Sequence, residues 1–216
     1  ETKFGVLFLG RKRPGFDPEW GKEVQRSVRE FLKRNRYDCV IPSDNIADDA
    51  GLREAVESCR RAGAGTLVVA QPTVSDGRLA PLLAQLWRDP LIFWATTEKQ
   101  SGEMISANSL VGTHIFASLF RQMRHPFELV YGHPGEEHTR DQLDLALSLV
   151  GAALTLRNAK VGLIGQHAPG FVNLAVDPDL LWSALGVQLH HMSLHEFLSV
   201  FEAVGPEEVA EDVEAF

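Results

Sequence analysis

The chain has 216 residues, of which 44% are hydrophobic and 23% charged, and its formal net charge is −8. This length and apolar content predict a globular protein, while the acidic balance argues against a nucleic-acid-binding face, which would be basic. No apolar run approaches the roughly 18 residues of a membrane-spanning helix. The two cysteines, Cys39 and Cys59, lack the spacing of a redox or zinc motif, which indicates reduced thiols and a cytoplasmic location.

Seven short apolar runs alternate with helical patterns along the chain. We predict strands at 3–9, 38–41, 66–70, 91–95, 127–131, 160–164 and 187–190. Most of these runs, such as "TLVVA" and "LIFWA", are apolar throughout, which is typical of parallel strands that helices cover on both faces. The predicted fold class is therefore α/β, with a three-layer parallel sheet of the Rossmann or flavodoxin type.

Start signals mark several of the helices between these strands. Asp17-Pro18 and Asp177-Pro178 each combine an N-cap with a proline at the first helical position, and Ser193 is a further N-cap. We predict other helices near 50–62, 109–124 and 139–156, the last of them apolar on most sides and packed between layers.

The order of these elements divides the chain into two parts. Residues 1–157 contain five strand–helix units, which suffice for a complete flavodoxin-like domain. Residues 158–216 contain two predicted strands and about three helices, and their last helix presents Val209, Val213 and Phe216 on one side. Two parallel strands leave uncovered edges and bury their helices poorly. We therefore expect 158–216 to be the beginning of a second α/β domain that is incomplete in this chain.

A strand-and-loop pattern occurs at the start of both parts. "LFLGRKRPGF" (7–16) and "VGLIGQHAPGF" (161–171) share a strand, a Gly and a later Pro-Gly-Phe. Each loop follows the first strand of its unit, at the edge where α/β sheets bind ligands. Shared domain ancestry explains the repeat, and so does the general preference of α/β turns for Gly and Pro. The second loop lacks the Lys and Ser/Thr of a phosphate loop and the three-glycine dinucleotide fingerprint, which argues against nucleotide binding.

The loop after the first strand carries three consecutive cations, Arg11, Lys12 and Arg13. They precede a helix start, where donors bind carboxylates, phosphates or sugar hydroxyls. The alternative is a basic turn that is only solvated.

Other polar residues follow later strands. Gln71 and Thr73 suit recognition of hydroxyl groups, and Glu98 is a weaker candidate. His133 and His167 each follow a strand directly, where an imidazole can donate to a hydroxyl or move a proton, or can simply shape the loop.

The histidines near the end of the chain do not predict a metal site. His190 falls on a predicted strand, whereas His191 and His195 would share a face only on one continuous helix, and Ser193 starts a new one. The sequence has no His-Glu-x-x-His motif, although Glu196 lies beside His195.

Three segments resemble the N-terminal half of the L-fucose isomerase and L-arabinose isomerase superfamily. They are "NSLVGTHIFASLFRQMRHPFELVYGHP" (108–134), "AKVGLIGQHAPGF" (159–171) and "VDPDLLWSALGVQLHHMSLHEF" (176–197). The shared features are a strand followed by Gly-His, and then a strand followed by Gly-x-His-x-Pro-Gly-Phe. The resemblance extends over essentially the whole chain.

The resemblance implies a function and an assembly. Members of that superfamily interconvert aldoses and ketoses through an enediol, with a divalent cation, usually Mn²⁺, held by acidic residues and a histidine. They form trimers or hexamers in which the first domain of one subunit closes its neighbour's active site. This chain would then be the N-terminal region of a sugar isomerase, supplying oligomer contacts and substrate-closing loops. Catalytic residues and metal ligands would lie outside it, and we expect the chain alone to be inactive.

The resemblance carries over few individual residues. Arg11 to Arg13 and His133 would face a neighbouring subunit's sugar, whereas Gln71 and Thr73 match the family's third loop in position but not in residue type. Two alternatives stay open: a non-catalytic sugar- or anion-binding module that uses Arg11 to Arg13, and a purely structural assembly domain.

Overall fold

The computed structural model describes residues 3–13, 16–102 and 105–215, and it divides the chain into one unit that ends at Leu154 and one that begins at Thr155. The strands of the first unit are β1 (Phe4–Phe8), β2 (Cys39–Val40), β3 (Thr66–Ala70), β4 (Leu91–Ala95) and β5 (Phe127–Tyr131). Its helices are α1 (Pro18–Arg34), α2 (Asp49–Arg61), α3 (Ala80–Leu86), α4 (Ser109–Gln122) and α5 (Glu137–Asn158), the last of which continues into the second unit.

The first unit is built on one parallel sheet in the order β2-β1-β3-β4-β5. The register pairs Phe4 of β1 with Thr66 of β3, and Leu91 of β4 with Phe127 of β5. This strand order is that of the flavodoxin type, and it confirms the predicted fold class. The chain adds β2 on one side of β1 and all later strands on the other, so the order reverses between β1 and β3.

Helices cover both faces of the sheet, as the apolar strands predict. Leu7 and Phe93 point to the face covered by α2, α3 and α4, where they belong to one buried cluster. Phe8 and Trp94, their neighbours in sequence, point to the face covered by α1 and α5, where a second cluster forms. Every residue of β1, β3 and β4 is buried, because successive side chains of a strand enter opposite layers.

Helix α5 differs from its prediction. It buries one side, including Leu143 and Val150, whereas Leu145 is 60% exposed and Leu149 is 48% exposed. The helix therefore covers one face of the sheet and does not lie between two layers. The sequence also gave no signal for α3, because seven residues after a 3₁₀ turn (Gly77–Leu79) are too short to show a helical period.

The second unit contains a two-stranded parallel sheet of β6 (Lys160–Ile164) and β7 (Gln188–Met192). Its helices are α6 (Pro178–Leu185), α7 (Leu194–Ala203) and α8 (Ala210–Ala215). The two strands and the Asp177 and Ser193 caps are confirmed. Apolar side chains stay largely exposed here, with Trp182 at 54% and Val213 at 70%. Of the predicted apolar stripe, Val209 lies in the turn before α8 and Phe216 is outside the described residues.

The two repeated loops share one backbone contact and differ elsewhere. The amide of Gly10 donates to the carbonyl of Ile46, and that of Gly165 donates to Met192, each at 2.9 Å. Gly165 adopts a left-handed φ of +72°, which favours glycine, whereas Gly10 does not. The Pro14-Gly15 pair of the first loop lies outside the described residues. Among the residues described, no helix combines the length and apolar character needed to cross a membrane.

Candidate ligand cleft

A cleft of about 580 Å³ opens at the carboxyl ends of β1 and β3. The loop after β1 contributes Arg11 and Arg13, and the loop after β3 contributes Pro72 and Thr73. One face of α1, from Pro18 to Arg29, and the loop after β2 complete the wall. Open α/β sheets bind ligands at the point where strand order reverses, outside the carboxyl ends of the strands. The cleft occupies that point in this sheet.

A second depression, of about 630 Å³, lies at the opposite edge of the sheet. Its walls include Pro90, His125 and Phe127, which are at the amino ends of β4 and β5. Since the amino edge of such sheets seldom carries function, we assign the ligand site to the cleft at the carboxyl edge.

Two glycines allow the walls of the cleft to approach each other. A Cβ on Gly10 would collide with the side-chain amide of Asn45, in the loop after β2. A Cβ on Gly21 would lie 2.9 Å from Cγ2 of Thr73, so the missing side chain lets α1 reach the loop after β3. The sequence shows these glycines, but their function depends on contacts between distant segments.

The three consecutive cations separate in space. Arg11 and Arg13 are exposed, line the cleft and form no ion pair with any residue that the structure describes. Lys12 faces away from the cleft, with its Nζ 3.3 Å from Oδ2 of Asp48, the N-cap of α2. A hydrogen bond from the amide of Gly51, and then the contact with Lys12, lower the pKa of Asp48. Lys12 therefore does not line this cleft.

The amino end of α1 does not offer free donors, contrary to the expectation from its position. Oδ1 of Asp17 accepts from the amides of Glu19 and Trp20, each at 3.0 Å. The Asp17 carbonyl accepts from Gly21, and Pro18 has no amide hydrogen. A ligand in the cleft would therefore meet side-chain cations and not helix amides.

Three further cations on α1 line the cleft, and sequence reasoning missed them. Lys22, Arg26 and Arg29 lie on one face of the helix, at the spacing i, i+4, i+7. That spacing was the signal that could have revealed them. Each is paired: Lys22 with Glu19, Arg26 with Glu23 and Arg29 with Asp44.

The predicted polar pair after β3 is split by the fold. Thr73 is half-buried and lines the cleft. Gln71 is fully buried, and its Oε1 accepts from the backbone amide and the hydroxyl of Ser75 at 3.2 and 2.8 Å. Gln71 therefore shapes the loop from inside and does not line the cleft. The sequence did not indicate that Ser75, four residues later, would be the hydrogen-bond partner of Gln71.

Glu98 organises the loop after β4. Its Oε2 accepts from the amide and hydroxyl of Ser106 and from the amide of Ala107, each at 2.8 Å, and its Oε1 accepts from the amide of Asn108 at 2.6 Å. Burial alone would raise the pKa of Glu98, but these hydrogen bonds outweigh it and the pKa is lowered. Glu98 is thus an ionised anchor for the start of α4.

The segment that Glu98 holds also fixes the two walls of the cleft. The carbonyl of Ser106 accepts from the amide of Asp17 at 2.8 Å, and the carbonyl of Ala107 accepts from the amide of Val74 at 2.7 Å. The loops after β1 and β3 are therefore both attached to the loop after β4. Glu98 positions the cleft without lining it.

His133, in the loop after β5, contacts Trp20 of α1, and neither residue lines the cleft. The two rings are stacked, with centroids 6.2 Å apart and planes 29° apart. Nδ1 of His133 accepts from the amide of Gly135 at 3.1 Å, so the neutral ring carries its proton on Nε2. The imidazole is half-buried, and its Nε2–H has no hydrogen-bond partner among the residues that the structure describes.

The second unit contains the other predicted histidines. His167 is exposed in the loop after β6. His190 and His191 are on β7, whereas His195 is on α7, where Glu196 closes the capping box of Ser193. Among the residues that the structure describes, no group of three His, Cys, Asp or Glu side chains is placed to hold a metal ion. The donors present here do not fit a divalent cation.

Comparison with known proteins gives sugar isomerases as relatives. The chain is 28% identical over 191 residues to the sulfoquinovose isomerases of Priestia aryabhattai and Priestia megaterium, which covers 88% of this chain and 43% of each relative. It is 22% identical over 214 residues to that of Alkalicoccus urumqiensis, covering 97% of this chain and 47% of the relative. The chain spans less than half the length of these curated relatives. No protein-family model matches it.

Proposed function

We propose that this chain is the N-terminal region of a metal-dependent aldose–ketose isomerase that acts on a sugar. The observation that supports this most directly is the similarity to three sulfoquinovose isomerases along 88% to 97% of the chain. The cleft at the sheet's switch point supports it independently, since that is where this fold binds ligands. The proposal also agrees with the resemblance to the fucose and arabinose isomerase superfamily.

The role proposed for this chain is to bind and orient the sugar. Arg11, Arg13 and Thr73 line the cleft, and His133, in the loop after β5, would donate its Nε2–H to a sugar hydroxyl. In this proposal the chain assembles as a homo-oligomer, and these loops close over the sugar of a neighbouring subunit. Holding the open-chain sugar in one orientation favours transfer of a proton between its first two carbons.

The proposed divalent cation has its ligands outside the residues of this chain. A bound Mn²⁺ ion would polarise the carbonyl and hydroxyl oxygens of the sugar. The residues described here would contribute orientation and exclusion of water, and none of them is assigned to the proton transfer itself.

The test uses the gene product in which this chain occurs, supplied with Mn²⁺ and sulfoquinovose, with ketose formation followed by NMR. We expect turnover that a chelator abolishes, and none from the 216-residue chain alone. His133→Ala should lower kcat/KM about tenfold, the effect of losing one directional hydrogen bond to substrate. His114→Ala, an exposed histidine on α4, is the matched control and should leave kcat/KM unchanged.

Two results would contradict the proposal. If the gene product isomerised no aldose, the proposed isomerase activity would be excluded. Turnover by the 216-residue chain alone would show that the metal ligands lie within it.

A non-catalytic binding module is the second candidate, favoured by Arg11 and Arg13, which line the cleft and form no ion pair among the described residues. It predicts that the gene product binds an anionic sugar or a small anion tightly without converting it. Calorimetry and NMR on the same sample distinguish the two candidates.

A further inference from the structure

The sheet of the first unit ends in β5, and the outer edge of this strand is open. Among the residues that the structure describes, β5 pairs with β4 alone. The amide of Gly132 donates to Ala95 of β4, whereas that of Tyr131 points the other way and donates to Oε1 of Gln142 at 3.0 Å. Because alternate residues of a strand direct their backbone groups to opposite edges, the amide and carbonyl of Leu129 also face outward. Such an edge can pair with another strand.

Apolar side chains are exposed on both faces of this edge. Phe127 packs into the cluster on the α4 face, and Leu129 and Tyr131 point the same way but remain 41% and 42% exposed. On the opposite face, Leu145 and Leu149 of α5 are exposed, and Leu149 borders the depression at the amino end of β5. Apolar surface around an unpaired strand is typical of a protein–protein contact.

Leu129 and the two exposed leucines of α5 lie at similar heights along the edge. Gln142 marks the height of Tyr131, and α5 then runs toward the amino end of β5. Leu129 is two strand residues from Tyr131 in that direction, a distance of about 6.6 Å. Leu145 and Leu149 follow Gln142 by three and seven helical residues, about 4.5 and 10 Å. A line through Leu129, perpendicular to the sheet, therefore passes between the two leucines.

The charged groups along this edge are separated by sign. Arg121 and Arg124 are exposed, border the depression of about 630 Å³ at the amino end of β5, and form no ion pair with any residue that the structure describes. Glu137 and Asp141, in the first turns of α5, are at the carboxyl end and have no such partner in the described ranges either. They precede Leu145 by two turns and one turn on the same side of the helix. The edge is therefore complementary in charge to a reversed copy of itself.

We propose that the outer edge of β5 binds the same edge of a second copy of this chain, about a twofold axis at Leu129. The two strands pair antiparallel, so Leu129 lies opposite its counterpart and Phe127 lies opposite Tyr131 of the second copy. The axis is perpendicular to the sheet, so the two α5 helices lie side by side with Leu145 of one against Leu149 of the other.

This contact is isologous, and it brings the cations at the amino end of one β5 to the carboxylates at the start of the second copy's α5. A parallel arrangement of the two edges would place like charges together. The inference rests on the proposed function only for the expectation of a homo-oligomer, and it adds the surface and the symmetry of the contact.

Sedimentation velocity on the gene product in which this chain occurs tests the contact. The wild type should contain an even number of subunits. Leu145→Glu combined with Leu149→Glu should halve the mass, because each change acts twice at a twofold axis and the dissociation constant should rise about 1,000-fold or more. Val111→Glu is the matched control, since Val111 lies on α4 and is 48% exposed like Leu149, and it should leave the mass unchanged.

A cross-link tests the position of the axis. Leu129→Cys places one thiol of each copy next to the axis, so a short bismaleimide should join the two copies covalently. The same reagent should not join copies of Val111→Cys, and the wild type measures any background from Cys39 and Cys59. Adding the two glutamate substitutions on α5 should abolish the cross-link of Leu129→Cys.

Charge reversal tests the match between the two ends of the edge. Arg121→Glu combined with Arg124→Glu should weaken the association about tenfold or more, since carboxylates then face carboxylates across the axis. Adding Glu137→Lys and Asp141→Lys to that variant should restore the association, because opposite charges face each other again. Failure of the second pair to restore any association would refute the antiparallel arrangement.

The remaining outcomes separate this inference from the proposed function. An odd number of subunits, or an unchanged mass for the variant with both leucines replaced, overturns the twofold contact. A lower Tm with unchanged mass also overturns it, since other residues of the gene product then cover the edge. If aldoses are isomerised in those cases, the proposed function stands. If copies pair through β5 but convert no aldose, the contact stands and the isomerase proposal fails.

Discussion

Replacing Glu98 with Gln should destabilise the loop that holds both walls of the cleft. The carboxylate accepts four hydrogen bonds, three on Oε2 and one on Oε1. Glutamine has one acceptor oxygen, so it can keep the three bonds from Ser106 and Ala107 only by turning its NH₂ group toward the amide of Asn108. One bond is then lost to a donor–donor contact, and the others lose the assistance of charge.

The size of this effect follows from those bonds. A hydrogen bond to a charged group contributes about 1.5–3 kcal/mol and a neutral one about 0.5–1.5 kcal/mol. In a fully buried site, losing one hydrogen bond and weakening three would lower the free energy of unfolding by more than about 4 kcal/mol. Glu98 is partly exposed, however, so water screens part of this interaction. We therefore expect the free energy of unfolding to fall by roughly 2–3 kcal/mol, which lowers Tm by about 4–12 °C for a unit of this size.

The loss of stability caused by Glu98→Gln should depend on pH, because the hydrogen bonds lower the pKa of Glu98 in the folded protein. Because the folded pKa of Glu98 is lowered, its ionised form stabilises the fold above the unfolded pKa of about 4.3. That contribution is lost as the pH falls through the folded pKa. The Tm difference between wild type and Glu98→Gln should be full at pH 7 and shrink below about pH 4.

Thermal unfolding followed by circular dichroism measures these changes. Glu54→Gln, at an exposed position on α2, is the control and should leave Tm unchanged. An unchanged Tm for Glu98→Gln, or a loss of the same size at pH 7 and pH 3, would show that the carboxylate does not anchor this loop.

Two other substitutions test close contacts in the first unit. Gly112→Ala should lower the free energy of unfolding by about 2–4 kcal/mol, since its Cβ would collide with Oε1 of Gln71 and lie 3.2 Å from the amide of Ser75; an unchanged denaturant midpoint would contradict this. Gly5→Ala should cost about 1–3 kcal/mol because its Cβ would collide with Sγ of Cys59. Adding Cys59→Ala should recover part of that loss in a double-mutant cycle, and strictly additive losses would refute the contact.

The bounds of a strand could be predicted well where the strand is buried on both faces. The observed β3 and β4 have the predicted bounds, because helices on both faces require continuous apolar residues there. The cap at Asp17 was predictable for a local reason, since its partners are two and three residues away. Helix caps formed by nearby residues and strands buried on both faces can therefore both be recognised from the sequence.

The site was less predictable because it depends on which way side chains point. Arg11, Lys12 and Arg13 form one basic run, yet only the two arginines line the cleft. A run of charge in a loop has no fixed period that would assign each side chain to a face. Gln71 likewise follows a strand at the ligand edge, but Ser75 binds it inside the protein.

The contacts among the loops connect the stability of the fold to the shape of the cleft. Glu98 does not line the cleft, but the carbonyls of Ser106 and Ala107 that it positions accept from Asp17, at the start of α1, and from Val74, after β3. Both walls therefore depend on one partly exposed carboxylate on a third loop. A sequence search for ligand-contacting residues would not select such a group. Its importance follows from the backbone bonds that join three neighbouring strand ends at one edge of the sheet.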